Sequence, residues 1–259
     1  MDIHISIPFE LLRERYLETV IKNRISVEIS LKAEILDKTE RKTFREVASI
    51  LKSEAINTSI HLPFMDLSLA GFDVLVREIS LRRLLQAMEI ASIFSPKVCV
   101  FHSGYHPDYH REEKLNWRAI FIEISLPRII KRAEDLALKL ALENTFEPEP
   151  QFMLPIFESF SSLLYWCFDP AHARVFSEID ELQWLQILYK YLCEIHCHDN
   201  NGKWDEHLAL GQGVIRFNEI FDFLFRNNLR PLLTIEAKKE EDALLSLQYL
   251  RHILTERFG

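Results

Sequence analysis

The chain has 259 residues, 48% hydrophobic and 27% charged, a balance that supports a large buried core and excludes a disordered or disulfide-built protein. Lys and Arg number 31 against 39 Asp and Glu, a formal charge of -8, so the overall field repels a phosphate backbone and disfavours nucleic acid as a partner. No basic amino-terminal region leads into an apolar run and no long uninterrupted apolar window follows, so the expectation is a cytoplasmic, soluble protein with no membrane partner.

In chain order, short β-like runs fall at 3–7 (IHISI), 25–30 (ISVEIS), 57–62 (NTSIHL), 97–102 (KVCVFH), 137–143 (ALKLALE), 163–169 (LLYWCFD), 191–198 (YLCEIHCH) and 231–236 (PLLTIE). Between them lie amphipathic stretches with apolar residues recurring at three and four, such as 72–94, 178–192 and 216–228, and a final one over 239–258. Pro127 predicts a break between two helices after the fourth strand, and 143–155 is the most irregular connection. Eight strands alternating with helices, at about thirty residues per unit, predict an α/β fold: a (β/α)8 barrel forming one domain over 1–259. A doubly wound open sheet is the alternative. The charged runs RRLL, KRAED and KKEED fall on the helices and read as solvated faces. Cys99, Cys167, Cys193 and Cys197 form no CxxC pair and are expected as free thiols.

Polar residues mark the strand ends. The third to eighth strands finish at His61, His102, Glu143, Asp169, His196 with His198, and Glu236. Carboxyl ends of barrel strands converge on one mouth, where barrel enzymes keep their chemistry. Residues two apart share a face, so Glu194, His196 and His198 face inward while Ile195 and Cys197 pack against helices. Likewise Val100 and His102 point inside and Phe101 outside. His172 and the turn Asp205, Glu206, His207 follow within short reach, so that 194–213 (EIHCHDNNGKWDEHLALGQG) holds three of the ten histidines. One histidine at a strand end is most often a hydrogen-bonded polar residue, and one carboxylate a helix cap. Nine on one rim point instead to divalent metal. Imidazole and carboxylate without thiolate suit Zn2+ or Mn2+, with Fe2+ or Co2+ also compatible, and leave one to three ions open. No nucleotide or organic cofactor is expected.

The ordered series IHLPFMDLSLAG (60–71), FHSG (101–104), LENT (142–145), CFDPAH (167–172), IHCHDNNGKWDEHLALGQG (195–213) and TIE (234–236) resembles the xylose-isomerase-like barrel superfamily through essentially the whole chain. That superfamily includes sugar isomerases and epimerases and the endonuclease IV type of abasic-site nuclease. The resemblance to the nuclease pattern implies nine metal ligands, His61, His102, Glu143, Asp169, His172, His196, Asp205, His207 and Glu236, holding three zinc ions. The isomerase pattern implies one ion among Glu143, Asp169, His196 and Glu236. The two glutamates would then move protons, and His172 would contact a substrate oxygen. His4, His198 and Lys203 are further candidates for substrate contact. Two departures stand out. The arginine that many ketose epimerases carry after the seventh strand has only Lys203 as a substitute, and 31–44 (LKAEILDKTERKTF) lacks the Arg-, Gln- and aromatic-rich DNA-penetrating loops of the nucleases. The expectation is therefore a divalent-metal-dependent isomerase or epimerase of a small polyhydroxylated carbonyl compound, a sugar or sugar phosphate. The alternative is an endonuclease IV-like phosphodiesterase with a two- or three-zinc centre. Homo-oligomer formation is left open.

Overall fold

The computed structural model describes residues 1–258 and forms a closed barrel of eight parallel strands in sequence order: β1 (Ile3–Pro8), β2 (Ser26–Ser30), β3 (Thr58–His61), β4 (Cys99–His102), β5 (Leu140–Glu143), β6 (Leu164–Phe168), β7 (Leu192–Cys197) and β8 (Leu232–Ile235). All eight predicted strands are present, and β1 pairs with β8, which rules out the open-sheet alternative. Helices occupy every crossover, including Val74–Ala91, Glu181–Leu188, Phe217–Arg226 and Glu240–Phe258. Among the described residues no helix is long and apolar enough to cross a membrane.

The strand pleat divides the interior into two environments. Val27, Ile29, Ile60, Phe101, Leu142, Phe168, Ile195, Cys197, Leu233 and Ile235 point outward and join the main core beneath the helices. On the inner face, Val98, Val100, Ala141 and Cys167 form a small separate apolar plug, with Tyr165 and Cys193 packed against it. Between plug and mouth lies a fully buried polar layer of His4, Glu28, Ser59, Glu194 and Thr234. The inward set Glu194, His196, His198 is as predicted, but it depends on an irregularity. Trp166 pairs with Leu192 and Cys167 with Glu194, so Cys193 is an extra residue that resets the pleat of β7 just before the functional segment.

At Pro127 the chain does not open into a loop. A π-helical turn, Phe121–Ser125, joins Arg111–Ile120 to Leu126–Asp135 directly, with the Leu126 N–H donating to the Phe121 carbonyl. The wider turn takes up one residue just before the proline, which has no N–H to continue the regular ladder. Cys99, Cys167, Cys193 and Cys197 are all free thiols, as expected.

Candidate metal centre

Register carries the polar strand ends to one rim. His102 and Glu143 are direct partners across β4 and β5, and His196 aligns with Thr234, two residues before Glu236, across β7 and β8. Histidines and carboxylates from the last six strands and the turns that follow them converge above the polar layer.

Glu143 is the hub. Its Oε2 lies 3.1 Å from His61 Nε2, 3.0 Å from His102 Nε2 and 3.3 Å from His196 Nδ1, while Oε1 lies 3.0 Å from His172 Nδ1. A second cluster forms around Asp169. Its Oδ1 caps the next helix by accepting the His172 N–H at 2.8 Å, which leaves Oδ2 at 2.9 Å from His198 Nε2 and 3.3 Å from His172 Nδ1. A third joins Asp205 Oδ2 to His207 Nε2 at 3.0 Å and to His172 Nε2 at 3.6 Å. Glu236 connects them: Oε1 is 3.6 Å from His196 Nδ1, and Oε2 is 3.8 Å from both His198 Nε2 and His207 Nδ1. Ligands about 2.1 Å from a tetrahedral ion stand about 3.4 Å from one another, so this spacing suits donors that share cations. Four ligand groups emerge: His61 with Glu143 and His196, Asp169 with His172 and His198, His198 with Asp205 and His207, and Glu28 with His196 and Glu236.

The donor chemistry fits the ion. Both ring nitrogens of His196 are buried without a hydrogen-bond partner in the protein, although two carboxylates flank Nδ1. Burial alone would push these imidazoles down and the carboxylates up. For His61, burial is outweighed by the Glu143 carboxylate and the pKa rises to about 9. His172 and His196 are likewise raised well above the ordinary value despite burial, His172 chiefly by Asp169. His102 is lowered, because there burial wins over Glu143. Glu143 itself is held well below the carboxylate range by His102 and His196, against its burial. The carboxylates thus favour positive charge on His61, His172 and His196, a charge that a bound cation would supply in its place.

The loop after β7 is built from within. Asp199 is buried, and its carboxylate accepts N–H bonds from Asn200, Gly211 and Ile215 while its backbone forms an antiparallel bridge with Leu208. Gly213 is required where the chain crosses this anchor: a Cβ there would meet Asn200 O at 2.2 Å and Asp199 Oδ1 at 2.3 Å. This fold-back carries Asp205 and His207 over the mouth, with His207 at a left-handed φ of 56° and its ring stacked 3.9 Å from that of His198.

Three sequence expectations change. His198, expected to contact substrate, stands among the ligand atoms together with His196. His4, also expected at the substrate, is fully buried one layer below the rim with Nδ1 bonded to Ser59 Oγ at 2.8 Å, so it does not reach the mouth. Lys203 is exposed and lies outside the residues lining the mouth cavity. Sequence reasoning missed Glu28 and Asn144. The side chain of Asn144 accepts from Trp166 Nε1 and the Asp169 N–H at 3.0 Å each, and donates to the Asp169 carbonyl at 2.7 Å, locking β6 at the rim. Glu28 could have been found from its place between Val27 and Ile29, on the inward face of a strand.

Beside the centre is a cavity of about 570 Å3 lined by Phe64, Tyr109, Phe146 and Phe176 together with His102, His172 and Asp205. Its lining includes aromatic faces and imidazoles but no Lys or Arg. Phe64 stacks on the His102 ring at 4.4 Å.

A model of the xylose isomerase-like TIM barrel family matches residues 26–253. The uncharacterised protein MJ1311 of Methanocaldococcus jannaschii is 31% identical over 75% of this chain and 69% of its own length. Among solved structures, the TTHB071 protein of Thermus thermophilus, described as soaked with ZnCl2, is 30% identical with a TM-score of 0.84 and 99% of each chain covered. A D-tagatose 3-epimerase-like protein is 26% identical, also at 0.84, covering 99% of this chain and 98% of its own. The chain belongs to the xylose isomerase-like TIM barrel family.

Proposed function

We propose that this protein is a divalent-metal-dependent isomerase or epimerase of a small, unphosphorylated polyhydroxylated carbonyl compound. The observation that carries this reading is the pairing of the Glu143 hub with a cavity whose lining offers aromatic faces and no cationic side chain. A phosphorylated sugar or a nucleic-acid backbone would call for Lys or Arg there. A sugar needs apolar faces to lie on and a few fixed polar groups to orient it. The likeness to a D-tagatose 3-epimerase-like structure points the same way.

Glu143, Asp169, Glu236 and the β7 histidines would hold the ion, with Zn2+ or Mn2+ fitting the donor set. Such an ion polarises a carbonyl and its neighbouring hydroxyl and so acidifies the C–H between them. Glu236, 15% exposed, and Glu143, 1% exposed, would be the pair of carboxylates serving that carbon. One would take the proton from the acidified carbon and the other would return a proton to it. His172 and Asp205, both lining the cavity, orient substrate hydroxyls.

A second reading has an observation of its own. Asp205 and His207 join His198 in a third ligand group, more than a single-ion isomerase requires, and this favours hydrolysis of a phosphate ester by two or three ions. One experiment separates them. Protein purified without chelator is analysed for zinc and manganese, then incubated with unphosphorylated ketoses in D2O. Solvent deuterium entering beside the carbonyl, and its loss in Glu236→Gln, is the expected result. No exchange with either metal, together with cleavage of abasic duplex DNA or a phosphodiester, would establish the hydrolase.

A further inference from the structure

The polar layer beneath the rim holds a carboxylate that the proposed reaction does not use. Glu28 is on β2, and the histidine within 4 Å of it is not on an adjacent strand. It reaches across the barrel interior to β7, where Glu28 Oε2 lies 3.5 Å from His196 Nε2. Both residues are fully buried, and neither Glu28 oxygen nor either His196 nitrogen has a hydrogen-bond partner in the protein. A buried carboxylate without a partner is strongly disfavoured, so its retention at this point in the barrel needs a physical reason.

The reason lies in the two sides of the His196 ring. Nδ1 faces the carboxylates of Glu143 and Glu236 at 3.3 and 3.6 Å, while Nε2 faces Glu28. A histidine can give a lone pair to a cation from only one nitrogen while the other carries its proton. A carboxylate against the protonated side fixes the tautomer and the ring plane and raises the basicity of the ligating nitrogen. His4 bonds to Ser59, and Thr234 bonds to one oxygen of Glu194 whose other oxygen has no partner, but it is Glu28 that lies within 4 Å of His196 Nε2.

Resting on the metal reading of the rim, we propose that Glu28 is a positioning residue that holds His196 with Nδ1 toward the metal and so sets the affinity and ligand geometry of the centre from beneath. Glu28 also stands within ligand range of His196 and Glu236, and the proposal places it on the protonated side of the His196 ring rather than on an ion.

The test compares Glu28→Gln and Glu28→Leu with the parent by zinc competition against a chromophoric chelator, by the cobalt(II) absorption bands and by thermal unfolding of the metal-free chains. The expected result is zinc affinity weaker by about 10- to 100-fold with shifted cobalt bands, the range for loss of a partner behind a metal-bound histidine. Glu28→Gln keeps the shape of the side chain and remains informative if the leucine variant does not fold. Zinc affinity within twofold of the parent and unchanged cobalt bands in a folded Glu28→Gln would overturn the proposal, whatever happens to the melting temperature. A parent chain that binds neither zinc nor cobalt would overturn the metal reading itself, a separate and distinguishable failure.

Discussion

Oε2 of Glu143 lies 3.0 Å from Nε2 of His102, and the two residues are register partners on neighbouring strands. The same oxygen also meets His61 and His196, so one buried carboxylate is shared by imidazoles from β3, β4 and β7. Removing its charge should therefore affect the whole rim. In Glu143→Gln, zinc affinity is expected to fall by at least about 100-fold, the upper end of the range for partners that only support a ligand. Competition with a chelator measures it, and retention of parent affinity would remove Glu143 from the ligand set.

Protons and metal compete for the same imidazoles. With His61 raised to about 9 from an ordinary 6.5, its pairing stabilises the metal-free fold fully below pH 6.5, and that contribution is lost as pH rises through 9. Glu143, held below its ordinary value, contributes above 4.5 and loses its contribution as pH falls through the depressed value. The melting temperature in chelator should thus decline between pH 6.5 and 9, while the rise produced by added zinc should grow over the same interval, because fewer protons must be displaced. A zinc-induced shift that stays constant across this range would contradict the exchange.

The loop after β7 is sensitive at a single glycine. Gly213→Ala places a methyl group 2.2 Å from a backbone oxygen of Asn200, which neither strand nor loop can yield cheaply. Loss of the Asp199 anchor is expected to release Asp205 and His207, lowering the bound zinc per chain measured by elemental analysis while the circular dichroism of the barrel is kept. Unchanged stoichiometry would mean that these two residues do not hold an ion.

Asn144 should matter for stability as well as for the site. Asn144→Ala leaves the buried Trp166 and Asp169 N–H groups unpaired, at a cost of about 1–3 kcal/mol each. Urea unfolding of the metal-free protein should register that loss, and zinc affinity should weaken with it as Asp169 loses its fixed position. Weaker folding with intact zinc affinity would separate the two roles.

At a core position that offers no ligand atom the expectation is reversed. Trp117 is fully buried and stacks on Phe121 at 5.1 Å, so Trp117→Ala should destabilise by about 3–5 kcal/mol. Metal stoichiometry in the folded fraction should not change. A shift in stoichiometry would reveal coupling between this helix and the mouth.

What the sequence by itself determined is periodic and local. Alternation of short apolar runs with helical stretches specifies eight strands along the chain, and the period of two assigns Glu194, His196 and His198 to the inside and Phe101 and Ile195 to the outside. The polar strand ends from His61 to Glu236 were legible for the same reason. Depth in the barrel was not, because it is set by the stagger between strands far apart in the chain. Only the closed sheet decided that His4 is sealed one layer down against Ser59, that His198 meets Asp169, and that Glu28 on β2 faces a histidine across the interior. The fold-back of Asp205 and His207 over the mouth was likewise a tertiary outcome, held by an Asp199 anchor whose partners lie up to sixteen residues away. A strand pattern fixes which face a side chain takes, and the register of the whole barrel fixes what it meets there.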